Sequence, residues 1–300
     1  MNTKVSEQGP VFSKIVAGCM NWGAWGVNLE VEQSQKLIED CLSIGVTTFD
    51  HADIYGHYTT ETLFGNAIKG NSSLRQQIQL VTKCGIRLVT PNRPDNQIKS
   101  YKTTKKYILE SVEQSLKNLQ TDYIDMILIH RPSPLMNPVD IAEAFNSLKS
   151  SGKVLHFGVS NFTTSQFEML NTFFPLQTNQ IEISPLHLTP FIDGTLDQCI
   201  QHAIKPMAYS TLAGGKFFSK QPEDKVIRIN KVIHVLKEKY NVSADQILTA
   251  WLLKHPAGIL PIIGSTKINR IQSAVDSLSL QITDEEWFRV WEASIGEEVA

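Results

Sequence analysis

The sequence predicts an α/β fold of parallel strands with helical crossovers, closed as a (β/α)8 barrel. Eight short apolar runs alternate with longer amphipathic stretches along 300 residues, and Gly or Pro marks nearly every join. A third observation favours closure: polar residues capable of chemistry end most of the apolar runs, as they do around the mouth of such a barrel.

The elements follow in chain order. Residues 1–14 are polar and read as an N-terminal extension ahead of the first strand, residues 15–17. Residues 31–44 place Leu37, Ile38, Cys41 and Leu42 on one helical face, and Gly45 leads into the second strand, residues 47–49. The third strand spans residues 79–82. After it, residues 104–119 carry Ile108, Val112, Leu116 and Leu119 at the 3.6 period. The fourth strand is residues 126–129, followed by a helix at 140–149 and the punctuating Gly152. Residues 154–159 form the fifth strand, 165–171 a helix, 177–180 the sixth strand and 206–208 the seventh. Helices at 226–239 and 244–254 precede Pro256 and the eighth strand, residues 258–263, and a helix follows at 269–278. No linker, low-complexity segment or internal repeat divides this series, so a single domain over 1–300 is expected.

Alternation by itself fits an open doubly wound sheet as well as a closed barrel. An open sheet that binds a dinucleotide carries G-x-G-x-x-G after its first strand. Here that position holds Gly18-Cys19-Met20-Asn21-Trp22-Gly23-Ala24-Trp25-Gly26, whose spacing is wrong.

Composition excludes several classes. Hydrophobic residues at 42%, charged residues at 19% and a net charge of −2 describe a folded chain without affinity for polyanions. Cys19, Cys41, Cys84 and Cys199 form no C-x-x-C pair and no zinc spacing. His51, His57 and His130 lack the paired spacing of a metal-dependent hydrolase, so no metal is expected. The N-terminus has no apolar signal segment, and no apolar run reaches the ~18 residues of a membrane span. The expectation is a cytoplasmic protein with reduced thiols.

The strand ends offer Asp50, Lys83, His130, Ser160 with Asn161, Gln180 and Tyr209, then Gly264-Ser265-Thr266. Tyr55 follows Asp50 by five residues. Asp, Tyr, Lys and His together suit proton transfer by a phenol. A free tyrosine, pKa ~10, is a weak acid at neutral pH. A lysine ammonium about 4 Å away favours the phenolate by up to ~4 kcal/mol at an effective dielectric near 20, on the order of three pKa units. Asp50 is expected to hold the lysine head, and His130 to bind the substrate oxygen. A phenol so tuned can protonate a developing alkoxide, which is what carbonyl reduction needs.

These segments resemble the aldo-keto reductases, in particular a bacterial oxidoreductase branch. Phe49-Asp50-His51-Ala52-Asp53-Ile54-Tyr55-Gly56, with Glu61 and Gly65, is similar to that family's first signature, and its catalytic tetrad falls on Asp50, Tyr55, Lys83 and His130. Gly158-Val159-Ser160-Asn161-Phe162 resembles the segment that grips the nicotinamide carboxamide, with Gln180 as third partner. Ala208-Tyr209-Ser210-Thr211-Leu212 resembles the segment whose aromatic ring stacks on nicotinamide. The resemblance implies a (β/α)8 barrel that binds NADP(H) without a Rossmann domain and transfers hydride to an aldehyde or ketone, with Tyr55 as general acid. It adds Cys19, Met20, Ser210, Thr211, Leu212 and Gly214 to the cofactor side, while Lys216 is either a further cofactor contact that replaces binding lost on the adenosine side or an exposed loop lysine.

Residue chemistry agrees with this resemblance. Asn161 and Gln180 can satisfy a carboxamide, and Tyr209 offers a flat face. Gly264, Ser265 and Thr266 open a helix whose N-terminus suits an anion, with Lys267 or Arg270 placed for a 2′-phosphate. The chain departs from the family pattern at Thr211, Ile262, Ile263, Ser273 and Ala274, all away from the tetrad. Trp22, Trp25 and Tyr58 either wall an apolar substrate pocket or pack under the loops, and Arg87, Arg93 and Lys99 read first as a solvated basic loop and second as a site for an anionic substrate. The rival reading is a nicotinamide-binding regulatory module with little turnover. Tyr101-Lys102-Thr103-Thr104-Lys105 matches the Y-x-x-x-K spacing of short-chain dehydrogenases but lacks their glycine loop. A monomer acting on a small-molecule substrate is expected.

Overall fold

The barrel strands are buried on both faces over most of their length, and the reason lies in where their alternate residues go. In a computed structural model describing residues 1–300, eight strands form a closed barrel. They are β1 (Val16–Gly18), β2 (Thr48–Asp50), β3 (Gln79–Cys84), β4 (Ile124–Ile129), β5 (Val154–Ser160), β6 (Asn179–Glu182), β7 (Met207–Tyr209) and β8 (Leu260–Ile263). All neighbours pair in parallel, in chain order, and β8 returns to β1 through Ile262↔Val16 and Ile263↔Ala17.

Phe49, Leu80, Ile127, Ile129, Phe157 and Val159 point outward into the large core shared with the helices. Val16, Val81, Met126, Leu128, Met207, Leu260 and Ile262 point inward and fill the barrel. Gly158 belongs to this inner layer because a Cβ there would come within 2.8 Å of both Leu128 and Thr178 side-chain carbons.

The predicted helices are present as α1 (Val31–Ser43), α3 (Lys105–Leu119), α4 (Pro138–Ser150), α5 (Thr164–Asn171), α7 (Asp224–Tyr240), α8 (Ala244–Leu253) and α9 (Ile268–Asp276). The structure adds α2 (Thr60–Ile68), α6 (Thr195–Gln201) and α10 (Asp284–Ile295). Helix α2 carries Gly65 in its interior, ordinarily a helix-weakening residue. The glycine is needed because α2 presses against the end of α3, where a Cβ would meet the Asn118 carbonyl oxygen at 2.0 Å. Helix α10 starts at a capping box between Thr283 and Glu286.

Residues ahead of β1 are more ordered than a polar extension suggests. Asn2–Lys4 pairs antiparallel with Val11–Ser13, and Val5 and Phe12 are buried within the inner barrel layer. Ser13 fixes the hairpin by accepting backbone N–H bonds from Thr47 and Thr48. A second hairpin, Ile86–Arg87 with Ser100–Tyr101, stands at the C-terminal end of β3. No helix is long and apolar enough to cross a membrane.

Candidate active site

Strand parity puts the polar strand-end residues into one cavity. Lys83 lies two residues beyond Val81, His130 two beyond Leu128 and Tyr209 two beyond Met207, so each continues an inward-facing row past the last apolar layer. Asp50 ends β2 one residue beyond outward-facing Phe49. Tyr55 arrives by a different route, at the head of the short Tyr55–Tyr58 segment. There Gly56, His57 and Tyr58 all take positive φ, a tight fold that returns the chain to the rim.

The Lys83 ammonium uses its three donors within this group. It donates to Asp50 Oδ2 at 2.8 Å, to the His51 carbonyl at 2.6 Å and to Tyr55 Oη at 3.1 Å. Lys83 and Asp50 are 1% and 2% exposed. Asp50 Oδ1 accepts from Gln180 Nε2 at 2.8 Å, so the carboxylate is held from both sides. The His130 ring lies edge-on to Tyr55 at 6.1 Å, and its Nδ1 is buried without a partner.

The electrostatics correct one expectation. Burial pushes the Tyr55 phenol up, Lys83 pulls it down and Asp50 pushes it up again; the net value lies above the ordinary one. Lys83 therefore does not make Tyr55 acidic outright but offsets part of its desolvation, because Asp50 neutralises the same ammonium. Burial lowers the Lys83 pKa, yet Asp50 and Tyr55 outweigh it, and the lysine stays charged above its usual range. His130 is held well below its ordinary value by burial and by Lys83, Arg131 and Lys99.

On the far side of the mouth, Tyr209 Oη donates to Asn161 Oδ1 at 2.7 Å, and Asn161 Nδ2 donates to Ser160 Oγ at 2.8 Å. Ser160 Oγ donates in turn to the Gln180 carbonyl. Asn161 has φ +59°, which the short amide side chain tolerates. Beyond β7, Ser210 and Ala213 also have positive φ, leading into a 3-10 turn over Ala213–Phe218. Thr211 is buried, Leu212 half-buried, and Gly214 and Lys216 exposed. Beyond β8, Gly264, Ser265 and Thr266 precede α9, where Ser265 Oγ accepts the Lys267 N–H; Lys267 and Arg270 are exposed. Asn21 donates to the Gly264 carbonyl and so ties the β1 and β8 loops together.

Three of the expected contacts are not as the sequence suggests. Cys19 is fully buried, its thiol turned into the core and its N–H given to the Asp50 carbonyl, so only its exposed neighbour Met20 is open to a ligand. Trp22, 1% exposed, packs against Phe49 and Phe64 outside the barrel and walls no substrate pocket. Trp22→Ala should therefore lower unfolding stability by about 3–5 kcal/mol with KM nearly unchanged, a pairing that urea titration and steady-state kinetics together can check. Tyr58 spends its hydroxyl on the Ile86 carbonyl and the Leu88 N–H, fastening the 86–101 hairpin. Of the three aromatic candidates, Trp25 alone stands at the mouth, half-buried and 6.0 Å from the Tyr55 ring.

Two residues went unread in the sequence. Asn21 gave no signal. Arg131 did: it directly follows the inward-facing His130, and its guanidinium reaches Tyr209 Oη at 3.5 Å.

A barrel with this constellation matches one family over nearly its whole length. A sequence model of the Aldo/keto reductase family matches residues 14–295. The chain is 49% identical over 291 residues to an uncharacterized oxidoreductase, YcsN, of Bacillus subtilis, covering 96% of each. It is 38% identical over 285 residues to a 6-dehydroglucose reductase of Agrobacterium fabrum, covering 93% of this chain and 95% of the relative. The fold is also that of the aldo-keto reductase AKR11C1 from Bacillus halodurans in its holo form, with a TM-score of 0.80 at 21% identity, covering 97% and 95% of the two chains. The protein belongs to the aldo/keto reductase family and is an oxidoreductase of carbonyl compounds.

Proposed function

We propose that this protein is an NADP(H)-dependent reductase of aldehyde or ketone carbonyls in which Tyr55 is the general acid. One observation carries the reading: Lys83, anchored on Asp50 and the His51 carbonyl, donates its remaining N–H to Tyr55 Oη. That bond occupies a lone pair of the phenol and leaves its own O–H to point elsewhere, toward an acceptor at the mouth. Because the phenol is pushed above its ordinary pKa, it is protonated at neutral pH, the form an acid must have. His130 is neutral there, and its ring, edge-on to Tyr55, stands beside the place a carbonyl oxygen would take.

The remaining residues fit a nicotinamide. Asn161 and Ser160 supply amide and hydroxyl groups, Gln180 keeps its side-chain amide oxygen as an acceptor, and Tyr209 presents a ring pinned by Asn161. When bound, the reduced nicotinamide supplies the hydride to the carbonyl carbon. The chain's part is to hold the carbonyl and to deliver the Tyr55 proton to the oxygen as negative charge develops there, with Lys83 stabilising the phenolate left behind. The N-terminus of α9, whose capping residue Lys267 makes no side-chain bond to the helix, together with Arg270 supports a 2′-phosphate and so NADP(H) over NAD(H). The relative named for 6-dehydroglucose supports a hydroxylated, sugar-like carbonyl among the substrates. Four free, buried cysteines support a reducing, cytoplasmic setting, and we take the chain to act as a single-domain monomer.

A panel of aldehydes and ketones with NADPH and with NADH, followed by absorbance of the reduced nicotinamide, tests the reading. Faster turnover with NADPH is expected; failure of the whole panel would sink it. The pH profile gives a sharper check. Reduction should stay level through pH 6.5, since His130 carries no proton there, and fall only at alkaline pH as Tyr55 ionises. Alcohol oxidation with NADP⁺ needs the phenolate and should rise over the same alkaline range. An inflection near pH 6.5 would transfer the acid role to His130.

A further inference from the structure

Charge at the mouth is unevenly compensated. Lys83 is neutralised by Asp50, and Arg93 lies 4.6 Å over the Tyr58 ring, lining a separate outer cavity with Asp53, Glu61 and Glu110. Arg131 is different. It follows β4, yet its guanidinium reaches Tyr209 at the end of β7, three strands away around the ring, so it lies across the opening. It is half-buried and takes part in none of the molecule's ion pairs. Glu182, at the end of β6, forms no ion pair with Arg131. Lys99, on the 86–101 hairpin, is exposed and adds a second positive charge felt at His130.

A half-buried guanidinium with no carboxylate partner and one side-chain bond leaves most of its five donors open to a ligand. The Tyr209 hydroxyl takes up only one of those donors, over a long 3.5 Å bond. We propose that Arg131 is a specificity residue that takes the carboxylate or phosphate of an anionic carbonyl substrate, with Lys99 attracting the same group from the hairpin. This deepens the reductase reading and rests on it. The reactive carbonyl sits between Tyr55 and His130 while its anionic end meets the guanidinium in the two-pronged manner that lysine cannot reproduce.

Benzaldehyde and 4-carboxybenzaldehyde differ by the anion alone, and the readout is the ratio of their kcat/KM values with NADPH. The wild type should favour the carboxylated aldehyde. Arg131→Ala should lower that ratio by about 10–100-fold, Arg131→Lys by less, and Lys99→Ala slightly and only at low salt. A ratio unchanged in Arg131→Ala, with both aldehydes still turned over, overturns the proposal and leaves the reductase reading intact. An NADPH affinity that falls in Arg131→Ala by as much as the ratio does also overturns it, since the cation then serves the cofactor. If neither aldehyde is reduced, the reductase reading fails, and calorimetry with 4-(hydroxymethyl)benzoate decides the anion site separately. Binding by the wild type that is lost in Arg131→Ala supports it, and no binding by the wild type overturns it.

Discussion

Tyr55→Phe should reduce NADPH-dependent aldehyde reduction by about 10²–10⁴-fold, the usual worth of a positioned general acid, while NADPH affinity stays nearly as it was. The substitution removes one oxygen. The ring keeps its edge-on contact with His130 and its packing beside Trp25, so the mouth retains its shape. What goes is the only proton donor that Lys83 supports, together with the acceptor for one of the lysine's three N–H bonds. A loss confined to kcat, measured by steady-state kinetics beside fluorescence titration of NADPH, separates this reading from its rival. In a nicotinamide-binding module with little turnover, wild type and Tyr55→Phe would oxidise NADPH equally slowly. That equality would end the case for Tyr55 as an acid.

Tyr55 also shows how far the sequence alone carries the argument. The barrel strands were legible because runs such as 126–129 must be apolar on both faces to fill a barrel and face helices at once, whereas the polar sixth strand, expected at 177–180, lies two residues later at Asn179–Glu182. The convergence of Asp50, Lys83 and His130 followed from that same periodicity, each standing at the end of such a run. The balance of charge on Tyr55 did not follow. It depends on how deeply the phenol is buried and on the Asp50 carboxylate sharing the ammonium, neither of which spacing reveals.

Trp22 and Trp25 illustrate the other limit. They stand three residues apart in one loop, and only the three-dimensional path decides that the first packs under the barrel's flank while the second stands at the mouth. Helix α2 was hidden because Gly65 speaks against a helix until the close approach of α3 explains it.

Lys83→Met should be the most damaging change to stability near the site, lowering the unfolding free energy by about 3–5 kcal/mol. The attraction within the pair is not the main reason. A buried ion pair contributes little net stability against an apolar pair of equal volume, because both charges must leave water. Removing one partner, however, strands Asp50 with only the Gln180 amide to satisfy it, at 2% exposure. The double variant Asp50→Asn, Lys83→Met removes both charges and should lose less than the sum of the two single losses, which a double-mutant cycle in urea would read directly.

The pH dependence has a definite sign. Lys83 has a folded pKa above its unfolded one, so its contribution is complete below the ordinary lysine value and is lost as pH rises through the folded value. At strongly alkaline pH the gap between wild type and Lys83→Met should therefore narrow. Additive single effects, or a gap that widens with pH, would mean that the ammonium and the carboxylate act independently. Lys83 would then have no claim to tune Tyr55 through a fixed position. A retained gap closing at high pH would instead tie the stability of the barrel mouth to the protonation state that the proposed chemistry requires.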